Sequence, residues 1–316
     1  MSNFRESESL CENTFASNGP YWHLYTQGQD TPLIFKTEDD FEFAMSVICQ
    51  AAYEFKDVGV ITFEIMGNHL HILLSGGEED VMMLFRHIRK RLTIGLRTDF
   101  PQGLPRTFSA SLKAVTSLNA MRNTIAYINR NGYVADQNHT PFSYPWGAGR
   151  FYFNHFPITV KFSDMKYLEL RRVFRGRKPQ LPEDYEIIYG HISPTSYCKI
   201  DFGEAMFRNA HHYFSHIYRN VEAFNEMAVE LGDIEVNTDN ELYSQMNQVI
   251  RKKYGAQSSR DISKAQRFEL AGILHYQYRS SNSQICRVLN LSQFEVDSLF
   301  PLSAEKQRGG RIGLNP

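Results

Sequence analysis

The sequence lacks the features of a membrane protein and those of a disulfide-bonded secreted protein. It contains no run of about 18 apolar residues, the length that a membrane-spanning helix needs, and its first residues carry no apolar secretory segment. None of its four cysteines has a CxxC partner, so neither a zinc ribbon nor a redox pair is indicated. These absences predict a cytoplasmic protein with reduced thiols and no membrane partner.

The chain also has little net charge, only -1, because 34 Lys and Arg stand against 35 Asp and Glu in 316 residues. The charge nevertheless occurs in blocks of opposite sign. Residues 81–180 have a net charge of +13 and residues 251–316 a net charge of +6, with the acidic excess in residues 1–80 and 181–250. Basic blocks of this kind form local patches that attract polyanions whatever the total charge is. Solvated helix faces would produce the same blocks, so nucleic acid stays open as a partner.

Several common catalytic motifs are missing too. There is no P-loop, no glycine-rich dinucleotide-binding motif, no serine nucleophile elbow and no acidic triad. His211, His212 and His216 have helical spacing, but no glutamate follows His212 in the HExxH manner. An ordinary histidine-rich helix explains these three residues better than a zinc site does.

Hydrophobic periodicity predicts an α+β domain in the first half of the chain. Strands are expected at 21–26, 58–65, 69–75 and 108–115, and helices at 39–55, 78–96 and 117–131. The order β-α-β-β-α-β is that of the ferredoxin-like fold, an antiparallel sheet with helices on one face. The helix at 117–131 follows the fourth strand as an addition to that fold.

The second half is expected to be mainly α-helical, with helices at 203–231, 238–254 and 262–279. The predicted organisation is a disordered N-terminus at 1–18, an α+β domain at 19–158, a basic linker at 159–202 and a helical domain at 203–316. Within the last domain, residues 283–300 have the apolar spacing of a helix-turn-helix. A simple pair of packed helices is the alternative.

Two histidines alternate on the third predicted strand. Side chains at positions i and i+2 of a strand point to the same face, so His69 and His71 are expected to project together, with Leu70 in the opposite layer. Two adjacent imidazoles can bind one divalent cation. Taken alone, the pair is more often explained by packing or surface histidines.

The helix at 117–131 carries a tyrosine outside its apolar stripe. The stripe, at spacings of three and four residues, consists of Leu118, Met121, Ile125 and Ile128. Tyr127 is expected on the other side, and Asn131 lies one turn after it, where its carboxamide oxygen can approach the same site as the phenol. By itself, an exposed tyrosine on an amphipathic helix would explain this pattern.

Together these motifs resemble the single-tyrosine HUH transposases. Residues 66–71 (Met-Gly-Asn-His-Leu-His) lie about 55 residues before residues 127–131 (Tyr-Ile-Asn-Arg-Asn). They are most similar to the REP-associated tyrosine transposases, which have a Met-x-Asn-His-hydrophobic-His strand and a later Tyr-x-x-x-Asn helix. The resemblance covers residues 19–155. Gly67 and Gly132 stand where that family commonly has proline, and glycine is equally compatible with a turn.

The resemblance implies an enzyme that cleaves and rejoins single-stranded or hairpin DNA. Tyr127 would be the nucleophile, forming a 5′-phosphotyrosine and releasing a 3′-OH. His69, His71 and Asn131 would hold Mg²⁺ or Mn²⁺. Both monomeric and homodimeric members fit the sequence, and in a homodimer the tyrosine can act on the partner's site.

DNA contacts are expected from three regions: the basic helix at 78–96, the residues beside Tyr127, and the candidate helix-turn-helix. The residues concerned are Arg86, Arg89, Lys90, Arg91, Arg97, Arg122, Arg130, Arg287 and Gln293. The alternative function is that of a domesticated protein that binds DNA hairpins or palindromes without cleaving them. The presence of Tyr127, both strand histidines and Asn131 favours the enzyme.

Overall fold

The computed structural model describes residues 2–28, 31–135, 139–140, 142–155, 158–176, 179–219, 227–228, 231, 239–276, 278, 280 and 282–300. The chain divides into two units, Met1–Asp233 and Ile234–Pro316. Within the described ranges no helix is both long enough and apolar enough to cross a membrane.

A four-stranded antiparallel sheet lies at the centre of the first unit. Its strands are β1 (Tyr21–Thr26), β2 (Gly59–Ile65), β3 (Leu70–Ser75) and β4 (Ala110–Ala114). They are arranged in the order β2-β3-β1-β4, and every neighbouring pair is antiparallel. The four predicted strands coincide with these elements, so the α+β class is confirmed.

Two helices cover one face of the sheet. The chain first forms α1 (Ser2–Ala16); the covering helices are α2 (Glu38–Glu54) and α3 (Glu78–Gly95). α2 begins at a capping box, in which Asp40 N–H donates to Thr37 Oγ1 and Thr37 N–H donates to the Asp40 carboxylate. Apolar side chains of the sheet, such as Leu24 and Ile72, form the core beneath α2 and α3.

The other face of the sheet is covered by α4 (Leu118–Ala135), which packs against β2 and β3. The predicted cap is present, because Ala120 N–H donates to Ser117 Oγ at 3.1 Å. Later in the unit come α5 (Tyr167–Phe174), β5 (Ile187–Ile188), β6 (His191–Ile192), α6 (Ile200–Glu204) and α7 (Ala210–Arg219). α7 packs on α4, so α4 is buried between the sheet and a further helix.

Two segments differ from what the sequence predicted. Residues 2–16 of the supposedly disordered N-terminus form α1, which is tied down because Tyr21 Oη donates to Phe15 O at 2.7 Å and Arg122 pairs with Glu8. The supposed linker at 159–202 contains α5, β5 and β6. Its apolar side chains share a buried core with Cys49 of α2.

The helix predicted at 203–231 is interrupted. α6 ends at Glu204 and α7 begins at Ala210. Asn209 caps the start of α7, because its Oδ1 accepts a hydrogen bond from His212 N–H at 2.9 Å. Residues 220–226 and 229–230 of the predicted helix lie outside the described residues.

The described part of the second unit is helical. Its helices are α8 (Asp239–Tyr254), α9 (Lys264–Tyr276), α10 (Asn282–Leu289) and α11 (Gln293–Leu299). They share a core of fully buried aliphatic residues, among them Ile250, Leu270, Leu274, Ile285, Leu289 and Val296. This core accounts for the apolar periodicity of the second half of the sequence.

Candidate active site

The sheet face beneath α4 is unusually polar for a buried surface. His23, Thr62 and His71 are 0% exposed, and Glu64 is 1% exposed. In the strand register Tyr25 lies opposite His71, and His71 lies opposite Glu64, so the three side chains share this face across three strands. Burying so many polar groups costs free energy unless they have partners, which marks this face as a candidate site.

His69 and His71 lie side by side at one end of this face, as strand alternation predicts. Their ring centroids are 5.2 Å apart and the ring planes are nearly perpendicular, at 89°. His69 is 5% exposed and His71 is fully buried. Both rings therefore lie within the protein, beneath its surface.

The residue before His69 fixes its tautomer. The Asn68 amide nitrogen donates to the carbonyl oxygens of Gly28 at 2.7 Å and Thr31 at 2.8 Å. Asn68 Oδ1 therefore faces His69 Nδ1, at 2.7 Å. Since an amide oxygen only accepts, His69 Nδ1 carries the hydrogen, and in the neutral ring the lone pair is on Nε2. That is the arrangement in which an imidazole can bind a metal through Nε2.

A third histidine holds His71. His23 Nε2 lies 3.1 Å from His71 Nδ1, so one of these nitrogens donates to the other. The Tyr25 ring stacks over His71 at 6.3 Å between centroids and 19° between planes. The His71 ring is thus oriented from β1 through two contacts, one polar and one aromatic.

Tyr127 meets these histidines from α4. Its ring centroid is 5.5 Å from that of His71 and 6.2 Å from that of His23, with edge-on geometry in both cases. Tyr127 is 3% exposed and belongs to the core between the sheet and α7. The tyrosine therefore faces the sheet histidines, and it is not the exposed residue of an ordinary amphipathic helix.

Asn131 lies one turn after Tyr127 on α4 and is 8% exposed. The glycine that follows it has a local packing reason. The Tyr144 ring occupies the place where a Cβ of Gly132 would be, and Tyr144 Oη donates to Ile65 O at 2.7 Å. Gly132 lies inside α4 and not in a turn as the sequence suggested, and any side chain at this position would displace that ring.

Glu64 is enclosed by a glycine-containing loop. A Cβ at Gly147 or Gly149 would lie within 3 Å of the Glu64 carboxyl group. Burial raises the pKa of this carboxyl well above its usual range, although a hydrogen bond from the backbone of Gly149 acts in the opposite direction. The Glu64 carboxyl, with its raised pKa, thus belongs to the residue that lies opposite His71 in the strand register.

α4 is fixed to the sheet and to α7 by one polar residue. Asn129 Oδ1 accepts from Thr62 Oγ1 at 2.5 Å, and Asn129 Nδ2 donates to Tyr213 Oη at 2.9 Å. These bonds join β2, α4 and α7 two residues after Tyr127. They fix the rotation of the helix that carries the tyrosine.

Two imidazoles favour transition-metal ions and a carboxamide oxygen favours harder ions such as Mn²⁺, so these residue types are compatible with one divalent cation. In the part of the chain that the structure describes, no three His, Cys, Asp or Glu side chains are grouped to hold a metal ion. His69, His71 and Asn131 do not form such a group, because asparagine is not one of these four residue types. The contacts that orient His69 and His71 are those that metal-binding histidines commonly have.

The structure does not bring the basic residues of α3 to Tyr127. α3 lies on the opposite side of the sheet from α4, and Arg86, Lys90 and Arg97 are exposed there. Arg89 instead donates to the carbonyl oxygens of Leu104, Pro105 and Phe108. Arg91 donates to Gln50 Oε1 at 3.3 Å.

The two arginines of α4 are both buried. Arg122 donates to Met206 O at 2.6 Å and pairs through two nitrogens with the Glu8 carboxylate. This pairing keeps the pKa of Glu8 below its usual value. Arg130 is 3% exposed. Arg287 and Gln293 lie in the second unit, where both are exposed.

The rival histidines of α7 form a separate cluster. His212 Nδ1 accepts a hydrogen bond from Arg208 N–H at 3.3 Å, so the hydrogen of the neutral ring is on Nε2. That Nε2 lies 3.3 Å from His216 Nε2, to which it donates. Burial and the nearby Arg208 lower the pKa of His212 to about 4. This tautomer leaves no lone pair on His212 Nε2 for a metal ion.

Sequence reasoning missed His23, Tyr25 and Glu64. The first two follow from alternation along β1, because positions 23 and 25 point away from the buried Leu24. Glu64 requires the register of β2 against β3, which contains an irregularity between Val60 and Thr62. A periodic pattern alone does not locate that bulge.

No protein-family model and no curated protein matches the chain.

Proposed function

We propose that the chain cleaves and rejoins single-stranded or hairpin DNA through a covalent bond to Tyr127. The observation that carries this proposal is the approach of the Tyr127 ring to His71, at 5.5 Å between centroids, with His69 beside it. A phenol and two imidazoles gathered on a buried surface have the chemistry for phosphoryl transfer, and Asn131 lies one helical turn after the phenol.

The chemical step follows from these groups. The deprotonated Oη of Tyr127 attacks the phosphorus of a DNA phosphodiester, the bond from phosphorus to the 3′ oxygen breaks, and a 3′-OH is released. Attack by that 3′-OH on the phosphotyrosine reverses the step and needs no nucleotide hydrolysis. His69, His71 and Asn131 would hold the divalent cation, which when bound polarises the scissile phosphate. His23 and Tyr25 keep the His71 ring in place.

We assign the sheet to the ferredoxin-like fold of the HUH enzymes. The strand order β2-β3-β1-β4, with α2 and α3 on one face, supports this assignment. α4 is then the added helix that brings the nucleophile to the face the two other helices leave uncovered. The resemblance of residues 66–71 and 127–131 to the REP-associated branch supports the same assignment.

DNA contacts in this proposal divide by position. Arg86, Lys90 and Arg97, exposed on and after α3, would bind phosphates of a hairpin stem without choosing its sequence. Arg89, Arg91, Arg122 and Arg130 are partly or fully buried, so their contribution would be to hold the scaffold unless DNA binding rearranges them. Arg287 and Gln293 belong to the second unit, and their contribution does not depend on Tyr127.

A second candidate is hairpin binding without cleavage. The observation that favours it is the burial of Tyr127, which is 3% exposed and so has to become accessible before DNA can reach it. In this candidate the polar face would be a remnant of a cleavage site. The two candidates differ in one measurable product, the covalent adduct.

The test is incubation of the protein with labelled hairpin oligonucleotides that carry single-stranded flanks, in Mn²⁺, followed by a denaturing gel. The panel includes any palindromes found beside the gene. We expect a covalent adduct that disappears with Tyr127→Phe and on chelation of the metal. Tyr25→Phe is the matched control, because this tyrosine also contacts His71 and should not be the nucleophile.

Absence of an adduct from the whole panel, with hairpin binding intact, would establish the second candidate. An adduct that persists in Tyr127→Phe would contradict the assignment of the nucleophile.

A further inference from the structure

The second unit contains two short helices joined by a tight turn. α10 and α11 are separated by residues 290–292. Asn290, the first residue of the turn, has a left-handed backbone with φ of 52°. Asparagine tolerates this conformation better than most residues, and it reverses the chain in one step. Arg267 of α9 donates to Asn290 O at 3.1 Å and supports the turn.

Buried apolar residues set the angle between the two helices. Ile285 and Leu289 of α10 are 0% exposed, as is Val296 of α11. Leu291 in the turn is 8% exposed and packs in the same core. Two helices joined by a three-residue turn around such a core are typical of the helix-turn-helix, whose second helix enters the major groove of DNA.

The start of α11 is well defined. Ser292 and Glu295 form a capping box, in which Glu295 N–H donates to Ser292 Oγ and Ser292 N–H donates to the Glu295 carboxylate. Glu295 also pairs with Lys264 of α9. Asp297 accepts hydrogen bonds from Asn282 and Gln293. Both acidic residues of α11 therefore have partners within the unit.

The outer face of α11 carries side chains suited to base edges. Phe294 is 82% exposed, and Gln293 and Ser298 are exposed beside it. Gln293 Nε2 donates to Asp297 Oδ1 at 2.8 Å, and its Oε1 contacts Cys286 Sγ at 3.6 Å. One hydrogen and one lone pair of the carboxamide remain for an adenine edge while the side chain stays oriented. An aromatic ring such as Phe294 can contact a thymine methyl group.

Cationic side chains lie near this face, and one of them, Lys264, is paired with Glu295. Arg287 is exposed on α10, the helix that in this motif crosses the DNA backbone. Lys264 and Arg267 of α9 lie against α11 and the turn, as their contacts with Glu295 and Asn290 show. An exposed arginine such as Arg287 can bind a DNA phosphate.

We infer that α10 and α11 form a sequence-reading site for duplex DNA, with Gln293 and Phe294 facing the major groove and Arg287 on a phosphate. The inference stands apart from strand cleavage at Tyr127. It gives the chain a second DNA-binding element of a different kind, one that selects a double-stranded sequence. In a hairpin substrate, the double-stranded stem would be the segment that it reads.

The test is a selection of random duplexes by the full-length Tyr127→Phe protein, so that cleavage plays no part. We expect an enriched sequence that binds about 10³-fold or more tightly than a scrambled duplex. Gln293→Ala and Phe294→Ala should each reduce that preference by about 5- to 150-fold. Arg287→Ala should weaken binding to all duplexes alike and lower the salt slope by about 1.

Tyr243→Ala is the matched control, because Tyr243 is an exposed aromatic residue on α8, 44% exposed. It should leave the sequence preference unchanged, and thermal unfolding should show that every variant is folded. Selection without an enriched sequence would overturn the inference. The inference would also be overturned by a folded Phe294→Ala protein that keeps the full sequence preference. The same holds if Phe294→Ala weakens only the self-association of the protein and leaves DNA binding unchanged. A positive selection with no covalent adduct from wild-type protein would instead contradict the proposed cleavage alone.

Discussion

The two faces of the central sheet differ in their buried side chains, since the face beneath α4 adds polar residues to apolar ones such as Ile61 and Leu73. Beneath α2 and α3 the strands contribute Leu24, Ile72 and Leu74 to an apolar core. Beneath α4 the same strands contribute His23 and His71, which are as deeply buried. Both faces exclude water, so burial does not distinguish them. Only the apolar residues beneath α2 and α3 are of the kind that a stable core requires.

This difference indicates what each face is for. Replacing the polar groups beneath α4 by aliphatic residues of similar volume would be neutral or favourable for stability in many proteins. Their presence therefore points to a use beyond folding. We expect changes on the apolar face to reduce stability and changes on the polar face to reduce metal binding and chemistry.

The largest contrast is expected between neighbouring residues of β3. Ile72→Ala should lower the free energy of unfolding by about 2–5 kcal/mol, because it leaves a cavity in the core, while the folded fraction still forms the DNA adduct. His71→Gln should abolish the adduct with a smaller loss of stability. Urea unfolding and adduct gels measure the two quantities. Equal adduct formation by His71→Gln and wild type would show that His71 has no part in the reaction.

A smaller effect, on Mn²⁺ binding, is expected for His23 in the neighbouring strand β1. His23→Gln should weaken Mn²⁺ binding by about 10- to 100-fold, because His71 loses the partner that orients its ring. Leu24→Ala is the matched variant on the apolar face and should change stability without changing the Mn²⁺ affinity of the folded protein. Calorimetric titration with Mn²⁺ checks both. If the two variants bind Mn²⁺ equally well, His23 does not act through His71.

The smallest effect concerns Glu64 and pH. The folded pKa of this carboxyl is raised, so its favourable contribution is complete below the usual carboxyl pKa and declines as pH rises towards the folded value. Glu64→Gln stays neutral and lacks this dependence. The stability of wild type relative to Glu64→Gln should therefore fall as pH rises above about 4.5, by at most about 1.4 kcal/mol per pH unit. Metal-free urea unfolding at several pH values measures it, and a constant difference would show that Glu64 is not buried as an acid.

The sequence predicts the strands well because β-branched and aromatic runs with period two are local signals, and β1 and β3 lie where alternation places them. It also predicts that His69 and His71 share a face. It does not predict that α1 is ordered, since the pairing of Glu8 with Arg122 spans more than a hundred residues. Nor does it predict which arginines are exposed. Arg89 and Arg122 are bound to backbone carbonyls by tertiary contacts that charge counts cannot reveal.

The measurement that tests the central claim most directly is mass spectrometry of the protein–DNA adduct after digestion with trypsin and nuclease. Cleavage after Arg122 and Arg130 releases residues 123–130, in which Tyr127 is the only tyrosine. We predict that this peptide carries a nucleotide joined through its 5′-phosphate to Tyr127. A nucleotide on Tyr25 or on any other residue, or a 3′-phosphate linkage, would contradict it.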